Sequence, residues 1–209
     1  MSLLFKSDLF PEGVYGLWHT SEPDEYFLEN MEIYSDERAE FDKLKSSKRS
    51  EWLSSRYLLH LLSQRSIRGA CKKDEYGKPY LENSPYFISI SHSADYTAVI
   101  ASSKLVGIDI QVITPKIERI ISRFAKESEY AQYNSLLHYH VIWGAKEAMY
   151  KAYGKKSLDF KKNMHVESFD YKSEGFFFRG YVEKGEIFQN YTLFCRQFQD
   201  LILVYAIEE

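Results

Sequence analysis

Cysteine is nearly absent: Cys71 and Cys195 are the only two in 209 residues. Two thiols so far apart make neither a disulfide framework nor a zinc-ligand pattern, so both read as small hydrophobes of a reduced compartment. Proline (5) and glycine (10) are scarce, and no Gly/Ser-rich or Pro-rich linker interrupts the chain. No window approaches 18 uninterrupted apolar residues, which excludes a membrane-spanning helix. Lys6 and Asp8 break the opening MSLLFKSDLF before a signal-peptide core could form. Basic excess is missing too, since 27 Lys+Arg against 30 Asp+Glu leave a net charge of −3. That balance argues against a general binder of nucleic acid or anionic membranes. The expectation is a soluble, cytoplasmic protein.

Hydrophobic residues, by contrast, make up 44% of the chain and aromatics 16%, enough for a sizeable core. The charges are also patterned. Residues 1–44 carry net −8, 45–83 carry +5, 84–103 carry −1, 104–162 carry +5 and 163–209 carry −4. Two basic blocks flanking a nearly uncharged one suggest a compact anionic ligand rather than an extended polyanion.

The local pattern predicts a strand at 14–18 and a helix opening near Ser35-Asp36-Glu37, where acids favour the positive end of the helix dipole. A longer helix is expected over 48–64, with Leu58, Leu61 and Leu62 as its buried stripe. Tyr76-Gly77-Lys78-Pro79 marks a loop. Strands are expected at 87–90, 96–101 and 105–112, with Ser91-His92-Ser93-Ala94-Asp95 as a connector. Helical sequence follows from 116 to 153, broken near Asn134-Ser135 and stopped by Gly154. Four strands then span 165–171, 176–182, 187–196 and 201–207. A shift of 105 residues lays Tyr86, Asp95, Val99 and Ala101 on Tyr191, Asp200, Val204 and Ala206. The predicted class is α+β: two similar halves in pseudo-twofold arrangement, each a small, mostly antiparallel sheet packed with helices.

Three clusters carry chemistry. In Gly107-Ile108-Asp109-Ile110-Gln111, strand alternation puts Asp109 and Gln111 on one face, and the glycine would let a ligand approach the backbone. In Trp143-Gly144-Ala145-Lys146-Glu147-Ala148-Met149-Tyr150-Lys151-Ala152-Tyr153-Gly154, Glu147 and Lys151 share a helix face. Ala145, Ala148 and Ala152 make a smooth neighbouring face, and mid-helix Gly144 calls for a packing or ligand-access reason. Ser91-His92-Ser93, preceded by Gly77-Lys78-Pro79, offers donors suited to phosphate. Taken alone, each has an ordinary structural explanation: a solvated strand end, a surface ion pair worth about 0.2–0.5 kcal/mol, a satisfied loop histidine. The other histidines show no metal-ligand spacing, and His138 and His140 diverge on a helix.

Taken together, in this order and spacing, the clusters closely resemble the 4′-phosphopantetheinyl transferase superfamily. The resemblance runs from Glu51-Trp52-Leu53-Ser54-Ser55-Arg56 through Gly154. The length and two-half layout are similar to the surfactin-synthetase-activating, single-chain pseudodimer type. The resemblance implies an enzyme that moves the phosphopantetheine arm of coenzyme A onto a serine of an apo acyl or peptidyl carrier protein, releasing 3′,5′-ADP. It implies a half at 1–104 that takes the 3′-phosphate and adenine, a half at 105–209 with the metal and the catalytic helix, and an active site at their interface. Asp109 and Glu147 would hold Mg²⁺ (or Mn²⁺), with Gln111 a weak ligand or one acting through water. Glu147 would accept the serine proton, and Lys151 would stabilise the departing phosphate. Arg56, Lys78, Ser91, His92, Lys146 and Lys151 would bind the coenzyme, with Lys45, Lys48 and Arg49 more loosely placed. The partners are coenzyme A and a carrier protein, with no nucleic acid and no membrane, for a monomeric chain. The Lys155-Lys156 and Lys161-Lys162 pairs could steer an acidic carrier helix.

Gln111 departs from the commonest form of the motif, which has an acid there, and the expectation is weaker metal binding than in a three-acid site. It is the one feature favouring an alternative: a coenzyme A-binding regulatory or scaffold protein of the same fold that has lost catalysis.

Overall fold

A computed structural model describes residues 2–9 and 12–209. The chain divides into two compact units, Met1–Ser103 and Lys104–Glu209. No helix among the described residues is long and apolar enough to cross a membrane.

The first unit comprises strands β1 (Leu3–Asp8) and β2 (Gly13–His19) and helices α1 (Asp24–Asn30), α2 (Ser35–Phe41) and α3 (Ser46–Ser63). Strands β3 (Cys71–Lys73), β4 (Pro79–Leu81), β5 (Phe87–Ser93) and β6 (Tyr96–Ser102) complete it. Its antiparallel sheet runs β1-β2-β6-β5-β4-β3. Helix α3 buries Trp52, Leu53, Leu58, Leu59 and Leu62 against this sheet. Leu58 and Leu62 lie one turn apart on the inner face, but Leu61 falls beside that stripe and is 37% exposed, contrary to the predicted pattern.

The second unit begins with β7 (Val106–Val112), a 3₁₀ turn (Pro115–Arg119) and short helices α4 (Ile121–Phe124) and α5 (Glu127–Tyr130). The long helix α6 (Leu136–Tyr153) and the short α7 (Phe160–Asn163) follow. Then come β8 (Met164–Val166), β9 (Phe176–Lys184), β10 (Ile187–Phe198) and β11 (Leu201–Glu208). The sheet order is β7-β11-β10-β9-β8. The helical stretch predicted from 116 is therefore continuous only after Ser135, and it ends where Gly154 takes a left-handed φ of 72°.

The two sheets share one strand order, β2-β6-β5-β4-β3 and β7-β11-β10-β9-β8, with β1 an addition to the first. The 105-residue repeat reflects this shared plan. Ser93 pairs with Tyr96 across one hairpin, and Phe198 pairs with Leu201 across the other. Each hairpin turns through two residues, and the first of each, Ala94 (φ 49°) and Gln199 (φ 55°), has positive φ. Ser91, His92 and Ser93 are consequently part of β5, not a connector. Only Ala94 and Asp95 turn, because this tight hairpin needs no more.

The units also share a buried acid. The third residue of α2, Glu37, accepts the Tyr34 backbone N–H (3.3 Å), the Cys71 N–H of β3 (3.0 Å) and both Arg68 terminal nitrogens. The third residue of α5, Glu129, accepts the Lys126 backbone N–H (2.7 Å), the Val166 N–H of β8 (2.9 Å) and Lys146 Nζ (2.8 Å). Each acid ties a short helix start, a strand and a buried cation together. Such a buried pair is costly to break from one side.

Candidate functional site

Helix α6 lies close on β7 because Gly107 has no side chain. A Cβ there would stand 1.9 Å from the Ala148 carbonyl and 2.6 Å from the Ala152 nitrogen. The expected ligand approach at this glycine is thus taken by the helix itself, whose Ala145, Ala148 and Ala152 are fully buried. Gly144 has a packing reason of the same kind, since a Cβ would stand 2.8 Å from Val204 Cγ2 and 2.9 Å from Gln111 Nε2.

This packing sets the second half of the motif against the first. Asp109 projects from β7 and is 7% exposed. Lys151 reaches across from α6 and places Nζ 2.9 Å from Asp109 Oδ1 and 2.8 Å from the Ile108 carbonyl. Glu147 sits one turn earlier on α6. Burial and the nearby Asp109 charge push its carboxyl up to about 7, against the opposing pull of Lys151. Two neighbouring carboxylates beside one ammonium, which bonds Asp109, leave excess negative charge when both are ionised, and a divalent ion would relieve it. Mg²⁺ takes one or two carboxylates plus phosphate and water oxygens, so Asp109 and Glu147 fit its donor chemistry. The described residues contain no group of three or more His, Cys, Asp or Glu side chains arranged as a complete metal cage.

Gln111 shares the Asp109 face, and its Nε2 donates to Asp109 Oδ2 (3.4 Å) and to the His140 carbonyl (3.1 Å). Its Oε1, the atom expected to meet the ion, instead accepts His140 Nδ1–H at 2.6 Å. His140 Nε2 accepts the Thr114 backbone N–H at 2.9 Å. The same Nε2 lies 3.0 Å from the Thr114 carbonyl, and burial lowers the His140 pKa against the opposing pull of that backbone contact. Gln111 is therefore bound into a strand-to-helix latch rather than presented as a ligand. Sequence reasoning missed His140, whose i,i+2 relation to His138 signals nothing about a partner 29 residues upstream.

Lys146 is a clear correction. Its ammonium is fully buried and donates to Glu129 Oε2 (2.8 Å) and the carbonyls of Phe124 (3.0 Å), Phe160 (3.0 Å) and Met164 (2.8 Å). Its three protons are committed to the core, so it is not placed to bind coenzyme. Of the basic pairs proposed to steer a carrier, Lys161 also has an internal partner, the Ser122 carbonyl at 2.8 Å.

In the first unit, Arg56 and His92 line one cleft of about 310 Å³, together with Trp52, Lys48 and Lys73. His92 Nε2 bonds the Glu51 carbonyl at 2.8 Å. Ser91, its neighbour on β5, faces the other side of the sheet by strand alternation and is buried. Lys78 lies on the turn before Pro79, where its backbone N–H donates to Asp74 Oδ1 at 2.8 Å. Arg49 lies 5.2 Å over the Phe41 ring, and Lys45 precedes α3 at its exposed start.

The Asp109–Glu147–Lys151 cluster lies in the part of the chain that is similar to known proteins. Residues 105–198 match the family model described as the 4′-phosphopantetheinyl transferase superfamily. The similarity lies within the second unit and spans a little under half of the chain. The chain is 33% identical over 111 residues to 4′-phosphopantetheinyl transferase gsp of Aneurinibacillus migulanus, covering 50% of this chain and 46% of that protein. It is 33% identical over 88 residues to a 4′-phosphopantetheinyl transferase of Bacillus subtilis, covering 39% of each. The matches thus span less than half the length of either relative. Asp109, Glu147 and Lys151 all fall inside the superfamily match, as do Gln111, His140 and Lys146.

Proposed function

We propose that the chain transfers the 4′-phosphopantetheine arm of coenzyme A to a serine hydroxyl of an apo acyl or peptidyl carrier protein. The observation that carries this reading is the Asp109–Glu147–Lys151 cluster inside the superfamily match. In the reaction, the serine oxygen forms a bond to the phosphorus bearing pantetheine. The bond from that phosphorus to the 3′,5′-ADP oxygen breaks. Glu147 takes the serine proton, directly or through water. Lys151 faces the charge developing on the departing 3′,5′-ADP. Asp109 and Glu147 would hold Mg²⁺, which when bound supplies positive charge to the pyrophosphate oxygens.

The cleft of the first unit is assigned to the phosphorylated adenosine end. Arg56, His92, Lys48 and Lys73 offer cationic donors there, with the buried Trp52 ring in the wall behind Arg56. The two cysteines are free and buried, in keeping with a reducing cytoplasm. Gln111 gives little support to a non-catalytic alternative, because its latch leaves Asp109 and Glu147 in place.

The test is incubation with coenzyme A, Mg²⁺ and an apo carrier protein, followed by intact-mass spectrometry of the carrier. Phosphopantetheine mass should appear with the wild type and vanish with Asp109→Ala, Glu147→Ala and Lys151→Ala variants that keep the native circular-dichroism spectrum. Coenzyme A binding without modification of any of several carrier types would defeat the transferase reading.

A further inference from the structure

The basic groups of the first-unit cleft are already met by the chain's own carboxylates. Glu40, from α2, places Oε1 2.6 Å from Lys73 Nζ. Its Oε2 lies 3.3 Å from Arg56 Nη2 and 3.2 Å from Trp52 Nε1. Arg56 is 4% exposed, its guanidinium carbon 3.7 Å from the Trp52 ring centre, and its Nε has no hydrogen-bond partner among the described residues. Glu37 lies 3.7 Å from that Nε but is committed to Arg68 and the Cys71 amide. Arg56 and Lys73 are thus two cations sharing one carboxylate.

Glu40 differs from Glu37 in its freedom to leave. Its side chain is 36% exposed, against 2% for Glu37. The Glu40–Lys73 pair is exposed on both sides and worth only about 0–1 kcal/mol, and the buried Arg56 guanidinium that Glu40 would vacate is taken by the incoming anion rather than left bare. A phosphate monoester brings up to two charges and three acceptor oxygens, and can meet the guanidinium fork in bidentate fashion. Exchange of Glu40 for phosphate therefore runs downhill, whereas a monoanionic ligand offers little over what Glu40 already provides.

We infer that Glu40 is a resident counter-anion of the cleft. It holds Arg56 and Lys73 in position while the cleft is empty and yields them to the phosphate monoester of an incoming nucleotide, so that phosphorylated adenosine is selected over its unphosphorylated form. This rests on the assignment of the cleft to the phosphorylated adenosine end.

The test is calorimetric titration of the full chain and its Glu40→Gln variant with 3′,5′-ADP and with adenosine. The amide keeps the shape and an acceptor for Trp52 but removes the competing charge. The variant should bind 3′,5′-ADP about tenfold more tightly and adenosine equally well, the gain expected when a like charge is taken from the path of an anion. Lys73→Met, read the same way, should weaken 3′,5′-ADP and leave adenosine unchanged. Equal or weaker binding of 3′,5′-ADP by Glu40→Gln, an equal gain for adenosine, or no binding of 3′,5′-ADP by either protein overturns the inference. If carrier modification fails while Glu40→Gln still tightens 3′,5′-ADP, the transferase reading falls and the counter-anion role stands. If carrier modification is normal while the 3′,5′-ADP affinity of Glu40→Gln is unchanged, the transferase reading stands and the counter-anion role falls.

Discussion

Ionising Glu147 in the folded protein is costly without a metal, and that cost should be visible in stability. Its carboxyl is raised from an ordinary value near 4.5 to about 7 by burial and by Asp109, with Lys151 opposing. A rise of that size corresponds to about 3 kcal/mol of extra ionisation cost in the folded state. The side chain is only partly buried, so solvent screening brings the expected effect to about 1–2 kcal/mol. The folded-state value lies above the unfolded one, so the folded protein holds the proton more tightly. Stability is undiminished below the unfolded value, declines as pH rises from about 4.5 to about 7, and is level above that range. Glu147→Gln cannot ionise and should escape the decline. Urea melts in EDTA at about pH 5 and about pH 8 should show the variant's advantage over wild type growing by about 1–2 kcal/mol between them. Comparing variant with wild type at each pH cancels the other titrating groups. A gap that stays constant or narrows toward high pH would refute the argument that buried like charge raises this carboxyl.

Removing the Lys146 side chain should unfold rather than unload the protein. Lys146→Met leaves Glu129 buried with no cation and should cost about 3–5 kcal/mol in urea melts, whereas a coenzyme-contacting lysine would lower affinity with stability intact. Gly107→Ala forces a Cβ onto the Ala148 carbonyl, so α6 must lift. About 3 kcal/mol of stability should go with it, along with carrier modification, because Asp109 and Glu147 no longer face each other correctly. Gln111→Glu should keep the His140 bond but set a second charge beside Asp109. Its melting temperature in EDTA should drop below wild type, and added Mg²⁺ should raise it more than it raises wild type. If the Mg²⁺ concentration for half-maximal transfer is unchanged or higher in this variant, a third acid does not strengthen the site.

The hairpins and long helices were legible because their signals are local. The repeat that aligns Asp95 and Val99 with Asp200 and Val204 marks the same two-residue turn in both sheets, and Gly154 marks a helix end that needs positive φ. Strand β3, with three residues, and β4, with three, escaped notice, since so short a run carries no readable period. Of the candidate site, Asp109, Glu147 and Lys151 were legible from residue type and spacing, and the tertiary structure brings all three together.

What spacing could not reveal is which polar group each side chain spends itself on. Lys146 and Glu147 are neighbours in one motif, yet one ammonium is fixed by Glu129 and three carbonyls, while the next residue keeps a carboxyl near neutrality. Gln111 looks like a ligand along its strand until His140, from another element, takes its oxygen. Residue identity and order by themselves determined the long helices, the repeated hairpin and the inventory of chemical groups. Only the tertiary structure decided which of those groups remain available, because a buried polar group must find a partner, and the partners come from elements distant in sequence.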